Sequence, residues 1–414
     1  MSGLQPVRGT HDLLPEDMRR HRHVMETARR AALCFGYQEV ATPIFEFTEV
    51  FKRTLGDTSD VVTKEMYTFT DKGGETVTLR PENTAGVARA LISEGLTQHL
   101  PLKYFYAGPM FRYERPQKGR LRQFHQTGIE LLGVKEPGGD IEVIATGVEF
   151  LRRLGAWDRC ELELNTLGDT ASRQAYRKVL VEYLNSFRDR LSKDSQERLE
   201  KNPMRVLDSK DEGDQKIVAN APLSSEYLTD EARDFFAAVR EGLDLLGISY
   251  TINQRLVRGL DYYCHTCFEI TCADLGAQKT VLGGGRYDGL VSLMGGPETP
   301  GVGWASGVER CAMVLQQELP APRPIAIVPM GAAAERRALQ IADELRRQDF
   351  LVDLGFTGNM GKRMKRANKV SAIAAVILGD DELARGEAAV KLLDSGEQKN
   401  VPLGDLAATL APCR

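Results

Sequence analysis

Phe111-Arg112-Tyr113-Glu114-Arg115-Pro116-Gln117-Lys118-Gly119-Arg120-Leu121-Arg122-Gln123-Phe124-His125-Gln126 is the stretch on which the reading of this chain turns. Two apolar, strand-like segments flank a loop carrying Pro116 and Gly119, which predicts a hairpin with a long tip. Arg112, Arg115, Lys118, Arg120 and Arg122 make it densely positive. A charge run is ordinarily a solvated face. The continuation argues for more. From Phe124 to Leu132, strict alternation puts Gln126, Gly128 and Glu130 on one face and Thr127, Ile129 and Leu131 on the other. A polar face with a glycine, beside an arginine-rich hairpin, fits a substrate-binding floor. A sheet face turned to solvent is the alternative.

Leu256-Val257-Arg258-Gly259-Leu260-Asp261-Tyr262-Tyr263 concentrates an arginine, a carboxylate and two phenols in eight residues. Arg258 offers a fixed fork of donors that matches a carboxylate or phosphate. Tyr262 and Tyr263 each pair an apolar ring with a polar tip. The plainer reading is a buried Arg–Asp pair with core-filling tyrosines. Earlier in the chain, a strand over Thr76–Leu79 runs into Arg80-Pro81-Glu82-Asn83-Thr84-Ala85-Gly86 and a helix over Val87–Glu94. Glu82 then sits at a strand-to-helix junction, as a helix-dipole partner or as a receiver for a substrate ammonium. Later, Gly301-Val302-Gly303-Trp304-Ala305-Ser306-Gly307 leads into a helix over Val308–Glu318 with Arg310 in its first turn. An arginine is an unusual choice at a positive helix end unless an anion lies nearby.

Other patterns bound the answer. Gly283-Gly284-Gly285 and Gly358–Arg363 match neither a phosphate-loop nor a dinucleotide spacing; the glycines fit close backbone approach or tight strand crossing. Cys264-His265-Thr266-Cys267 invites a zinc reading. An extended strand would turn positions 264 and 267 to opposite faces, and no second ligand pair completes a set, so no structural metal is expected.

At 414 residues the chain should form two or three domains. Charged residues are 27%, hydrophobic ones 42% and the net charge is −4, so any nucleic-acid surface must be a local patch. No apolar run reaches about 18 residues, and Met1–Asp12 lacks a signal pattern. Seven cysteines without framework spacing suit a reducing cytoplasm. A helix starts near Pro15 and stops at Gly36. Tyr37–Phe45 reads as a strand ending near Pro43, either in a turn or at a dimer edge. Residues of about 170–245 read as a helical insertion. Pro320-Ala321-Pro322-Arg323-Pro324 marks a boundary. Beyond it, alternating strands (Ile325–Pro329, Leu351–Leu354, Ala374–Leu378) and helices (Glu335–Gln348, Lys362–Ser371) indicate a small α/β domain. Its basic helix carries Lys362, Arg363, Lys365, Arg366 and Lys369, a nucleic-acid patch or a solvated face.

The proline-ended first strand, the arginine hairpin and the Gly-x-Glu-Arg helix resemble the three motifs of class II aminoacyl-tRNA synthetases, in order. Arg80-Pro81-Glu82-Asn83-Thr84 and Arg258-Gly259-Leu260-Asp261-Tyr262-Tyr263 resemble the two signatures of the histidyl-tRNA synthetase family. The resemblance implies an α+β fold: a class II antiparallel sheet with flanking helices over 1–320, with the insertion, and an anticodon-binding α/β domain over 325–414. It implies a cytoplasmic homodimer, with the Pro43 region at the interface, that joins L-histidine to tRNA(His) at the expense of ATP, with Mg2+ as cofactor.

By the same resemblance Arg258 is catalytic, and Glu82, Thr84 and Gln126 hold the α-amino group. Glu130 and Tyr263 bond the imidazole nitrogens, while Arg112, Tyr262 and Tyr287 complete the histidine site. Arg112, Glu114, Arg120, Phe124 and Arg310 bind ATP. Arg115 and Gln117 reach the tRNA acceptor end. Three positions depart from the family pattern: Asn83 stands for glycine, Trp304 for phenylalanine, and Cys264–Cys267 for a Thr-Gly-Thr-Val type of segment. The rival reading is an inactive synthetase-like regulatory subunit of an ATP phosphoribosyltransferase. The presence of Glu82, Arg112, Arg258, Arg310 and the domain after Pro324 weighs against it.

Overall fold

The alternation read in Phe124–Leu132 is realised as the strand Gln123–Leu132, in a computed structural model that describes residues 4–56, 59, 61–257 and 262–414. Arg258–Asp261, half of the second signature, lie outside the described residues. The chain divides into two units, Met1–Glu318 and Leu319–Arg414.

In the first unit, eight strands run in the order Gln38–Glu39, Leu102–Phe111, Gln123–Leu132, Gly301–Gly307, Thr280–Arg286, Cys264–Cys272, Cys160–Thr166, Thr251–Ile252. The six central strands pair antiparallel, and only the two-residue edge strands pair parallel. Leu102–Phe111 and Gln123–Leu132 form the expected hairpin. Helices cover one face. Trp304 turns that way, its ring stacked on Phe150 at 6.0 Å and its indole N–H donating to Val143 O at 3.1 Å. Gly303, Ala305 and Gly307 therefore take the opposite face with Gln126 and Glu130. The Trp304 departure sits on the helix side, away from the polar floor.

The strand expected over Tyr37–Phe45 is split. Gln38–Glu39 pairs with Leu102–Phe111, whereas Phe45–Phe47 joins a separate three-stranded sheet with Thr76–Leu79 and Tyr67–Thr70. Between them Thr42 is drawn out of the ladder. Its carbonyl accepts from Arg80 Nη1 at 3.0 Å and its hydroxyl donates to Asn83 Oδ1 at 2.7 Å. Pro43 has no N–H with which to continue the pairing.

The stretch read as an insertion contains the helices Thr170–Asn185, Lys193–Lys201 and Glu212–Val218 around a core that includes Tyr176, Leu180, Leu184, Val206 and Ile217. Asp169, Ser192 and Asp211 cap these helices through their side chains. Asp230–Leu245 behaves differently: it packs on Pro137–Arg153, with Gly242 against Ile141, and so joins the helix layer of the main sheet.

The second unit is a five-stranded sheet ordered Val352–Leu354, Ile325–Pro329, Ala374–Leu378, Glu387–Leu392, Gln398–Pro402. The first three strands are parallel and the last two antiparallel. Ile325–Pro329 and Ala374–Leu378 are buried along their whole length, as parallel strands covered on both faces are. The last two strands escaped the sequence reading because Glu387–Leu392 has only the short, non-alternating apolar run Ala388-Ala389-Val390, and Gln398–Pro402 is mostly polar. In the basic helix Met360–Lys369, Arg363 is buried and donates to Pro329 O and Glu335. Arg366 pairs with Asp353 at 2.7 Å. The exposed basic patch is therefore Lys362, Lys365, Lys369 and Arg366, the last of them paired with Asp353.

One ion pair lies deep in the first unit. Arg286 and Asp140 are both fully buried and form a double hydrogen bond, with Nε to Oδ2 at 3.0 Å. Removing one partner leaves the other charge uncompensated, at a cost of about 3–5 kcal/mol. Asp140→Ala is expected to lose that much in equilibrium denaturant unfolding; an unchanged midpoint would show that the pair does not hold the sheet to Pro137–Arg153.

Candidate active site

Twelve of the thirteen residues expected to touch histidine or ATP line one cleft of ≈ 520 Å³ on the open face of the main sheet. The thirteenth, Arg258, is outside the described residues. The acidic end of the cleft is built around Glu130, which is 1% exposed and, among the described residues, has no ion-pair partner. Thr84 Oγ1 donates to its Oε1 at 2.7 Å, Tyr106 OH donates to the same oxygen at 3.3 Å, and Tyr287 OH donates to Oε2. Burial holds the phenols of Tyr106 and Tyr287 well above their usual range, so both remain donors. Burial also pushes the Glu130 carboxyl up to about 8, against the pull of the three hydroxyls.

Three glycines make this possible. A Cβ at Gly303 would meet Glu130 Oε2, one at Gly128 would meet the Tyr106 hydroxyl, and one at Gly301 would meet the Tyr287 ring. The glycine expected on the polar face thus has a specific occupant. Tyr106 was missed, since its alternation in Leu102–Phe111 gives no sign that it crosses to Glu130.

Glu82 serves as the helix-end partner its position suggested. Its carboxylate accepts from Thr84 N at 2.7 Å and Ala85 N at 2.9 Å, at the start of the helix Thr84–Ser93. Each oxygen keeps a second lone pair for a further donor. Burial raises this carboxyl too, against those N–H bonds. Gln126 Oε1 is buried in the same wall and has no hydrogen-bond partner among the described residues. Tyr262 and Tyr263 pack together at 4.6 Å, and Tyr262 meets Tyr287 edge-on at 5.7 Å. The tyrosines therefore fill core and line the cleft at once.

The basic end gathers Arg112, Arg120 and Arg310. Arg112 Nε donates to Pro81 O at 2.8 Å, and its guanidinium lies 5.4 Å from the Phe124 ring centre. Arg120 pairs with Glu114. Arg310 donates to Gly119 O at 3.0 Å and Thr280 O at 2.9 Å. Burial, then Arg120, and after Glu114's opposing effect Arg112, hold the Arg310 pKa below its usual value. Cations this close call for an anion.

Glu309 fixes this end. Its carboxylate accepts the His125 N–H at 2.9 Å and lies 3.0 Å from His125 Nδ1, tying the helix Val308–Val314 to the hairpin strand. That helix stops at Val314 rather than Glu318, where Arg20 Nη2 donates to Ala312 O and Leu315 O.

His21, His125 and Glu309 are also the one group of ligand-type side chains close enough to share an ion among the described residues; Cys264 and Cys267 are not in it. The argument from an unbroken strand does not apply to those cysteines. The ladder carries an irregularity between them, with His265 at φ 41°.

Arg115 and Gln117 stay outside the cleft. Both are exposed, and Gln117 lines an adjoining groove with Arg20 and His21. Sequence reasoning also missed Asp208, Lys210, Glu269 and Lys279, which line the cleft.

Residues 9–311 match the protein family described as histidyl-tRNA synthetase. This chain belongs to that family. Residues 324–411 match an anticodon binding domain. The chain is similar to the histidine–tRNA ligase of Rhodospirillum rubrum, 60% identical over 412 residues and 99% of each chain. It is similar to that of Gluconacetobacter diazotrophicus at 56% over 99% of each. Its fold matches the apo histidyl-tRNA synthetase of S. aureus with a TM-score of 0.84 and 34% identity, over 98% of this chain and 99% of that one. The expected α+β class II architecture is therefore the family's fold. Among the described residues no helix is long and apolar enough to cross a membrane.

The Glu130 carboxyl supplies a pH test. Its folded value, about 8, lies above its ordinary value of 4.5, so the native state keeps a proton that the unfolded chain has lost. Stability then falls as pH rises through that window. Glu130→Gln cannot titrate. Its stability relative to wild type is expected to rise from pH 5 to 8, by at most about 1.4 kcal/mol per unit, and to level off above. Denaturant titrations across this range check it; a pH-independent difference would mean that the carboxyl is ionised throughout.

Proposed function

We propose that this protein activates L-histidine with ATP to histidyl-adenylate and passes the histidine to the 3′ end of tRNA(His). The observation that carries the reading is the division of one cleft into two ends. One is a buried pocket around Glu130 and Gln126 Oε1, neither of which has a cationic partner among the described residues. The other is a cluster of arginines beside Phe124. The first suits a ring with one donor and one acceptor nitrogen next to an ammonium; the second suits a nucleoside triphosphate.

In this reading Glu82, Thr84 and Gln126 hold the α-ammonium through the lone pairs left over from their present bonds. Glu130 and Tyr263 pair the two imidazole nitrogens, with Tyr262 and Tyr287 closing the pocket. A histidine isostere would leave a buried carboxyl or phenol unsatisfied, which is how such sites discriminate. Phe124 stacks on adenine, Glu114 lies near its amino group, and Arg120 and Arg310 hold the distal phosphates. Arg112 and Arg258 meet the α-phosphate. A histidine carboxylate oxygen attacks the α-phosphorus, and the bond to the departing pyrophosphate breaks. Arg258 stabilises charge on the carboxylate and α-phosphate as this occurs, an electrostatic and positioning contribution. The 3′-terminal ribose hydroxyl of the tRNA then takes the acyl group and AMP leaves.

The family uses ATP with Mg2+ in general. When bound, the ion would neutralise phosphate charge, and Glu114 and Glu269 are carboxylate oxygens of the type it takes on that side of the cleft.

Arg115 and Gln117 lie in the exposed hairpin tip suited to the acceptor end, and Lys362, Lys365 and Lys369 offer charge to the anticodon region. We place the protein in the cytoplasm as a homodimer. Ile44, Phe45, Phe47 and Phe69 are 44–58% exposed on and beside the three-stranded sheet, an apolar surface that a second copy would cover.

Histidine-dependent ATP–pyrophosphate exchange, without tRNA, is the direct test. Exchange is expected with histidine and with no other amino acid; none in a folded protein would favour the regulatory-subunit reading. Arg258→Ala is expected to reduce exchange about 100-fold or more while the melting temperature holds, and unaltered exchange would remove Arg258 from the chemistry. Phe45→Asp with Phe47→Asp should shift the sedimentation coefficient from dimer to monomer; an unchanged dimer would place the interface elsewhere.

A further inference from the structure

We infer that Lys210, delivered by the helical insertion, is a binding residue for the polyphosphate of the nucleotide. The inference rests on the reading of the cleft as an ATP site and adds to it a residue from outside the three family motifs. Lys210 lines the cleft opposite the hairpin, and also lines the groove that runs on between the insertion and Arg112, Glu114 and Arg120. It is exposed, and among the described residues it makes no hydrogen bond or ion pair. The other cations of this end are already engaged. Arg120 is on Glu114, Lys279 is on Glu163 at 2.8 Å, and Arg112 and Arg310 donate to backbone carbonyls. An ammonium without a hydrogen-bonded partner that shares a cleft with Arg112, Arg120 and Arg310 adds to the positive charge of that end, and a polyanion is the ligand such a group suits. Lysine suits that role as a mobile point charge.

The backbone on either side of Lys210 is pinned. Val206 and Leu207, in the short helix Pro203–Asp208, are buried in the insertion's own core. Ser209 Oγ donates to Asp214 Oδ2 at 2.6 Å, and Asp214 also takes Ser192 N at 2.8 Å and Ser195 Oγ at 2.6 Å. Asp211 caps the next helix through Gly213 N at 2.8 Å. The ammonium is thus presented by a turn whose neighbours cannot drift, while the side chain stays free. On its own segment the Lys210 charge is felt by Asp208, which also feels Arg205 and Glu269. The insertion then belongs to the nucleotide site, and its placement against the hairpin bears on activation.

The test is steady-state ATP–pyrophosphate exchange, with saturating histidine and no tRNA, on Lys210→Ala, Lys210→Arg and Lys216→Ala. Lys216 is exposed on the same insertion and does not line the cleft. Lys210→Ala is expected to raise the KM for ATP about tenfold, the loss of one charge-assisted contact, and to leave the KM for histidine within about twofold. Lys210→Arg should recover most of the ATP affinity, and Lys216→Ala should match wild type. An ATP KM for Lys210→Ala within about twofold of wild type, or an equal rise in Lys216→Ala, overturns the inference. Wild-type exchange keeps the two readings apart. If wild type does not exchange with histidine, the reading of the cleft fails and takes this inference with it. If wild type exchanges and Lys210→Ala is unchanged, only the role of Lys210 fails.

Discussion

A buried carboxylate must bind a proton or be surrounded by donors, and Glu130, with no ion-pair partner among the described residues, is placed under both pressures. Its three hydroxyl partners come from three separate segments: Thr84 from a helix start, Tyr106 from the neighbouring strand and Tyr287 from the turn after Thr280–Arg286. Bringing them to one point requires backbone where side chains would normally be, and Gly128, Gly301 and Gly303 provide it. The central strands are shaped by this requirement. Their opposite face, carrying Val302, Trp304 and Ile129, meets the helices as an ordinary apolar layer.

The two ends of the cleft divide the electrostatic work. The Glu130 end is dry and holds carboxyls whose acidity is reduced by burial. The arginine end is more open, and its cations repel one another. An ammonium and an imidazole at the first end, with a separate polyphosphate at the second, would relieve both. Preorganisation of this kind is costly in the empty protein and is recovered when charge develops in the reaction. The His125–Glu309 contact connects the ends mechanically, since His125 lies between Phe124 and Gln126 and Glu309 adjoins Arg310.

Charge type misleads when it is read apart from burial. Arg363, counted at first in a nucleic-acid patch, is buried on Pro329 and Glu335, whereas Arg366 stays exposed and pairs with Asp353. Arg286, unremarked in a glycine-rich strand, is the fully buried half of an ion pair. Lys210, inside a stretch that showed no catalytic pattern, faces the cleft.

By itself the sequence determined the local elements and the family. Alternation over Phe124–Leu132 set which side chains share the floor, because a period of two leaves no other choice. The motif spacings set the order of hairpin, signature and terminal helix. The stiff run before Ile325 separated the two units. Only the tertiary structure decided who meets whom across those elements. It broke the Tyr37–Phe45 strand by pulling Thr42 onto Arg80, and it added Tyr106 to Glu130. It also moved Asp230–Leu245 out of the insertion and onto the main helix layer. The reason is the same in each case. Periodicity reports the face a residue takes on its own element, whereas partners and protonation depend on segments tens to hundreds of residues away that fold against it.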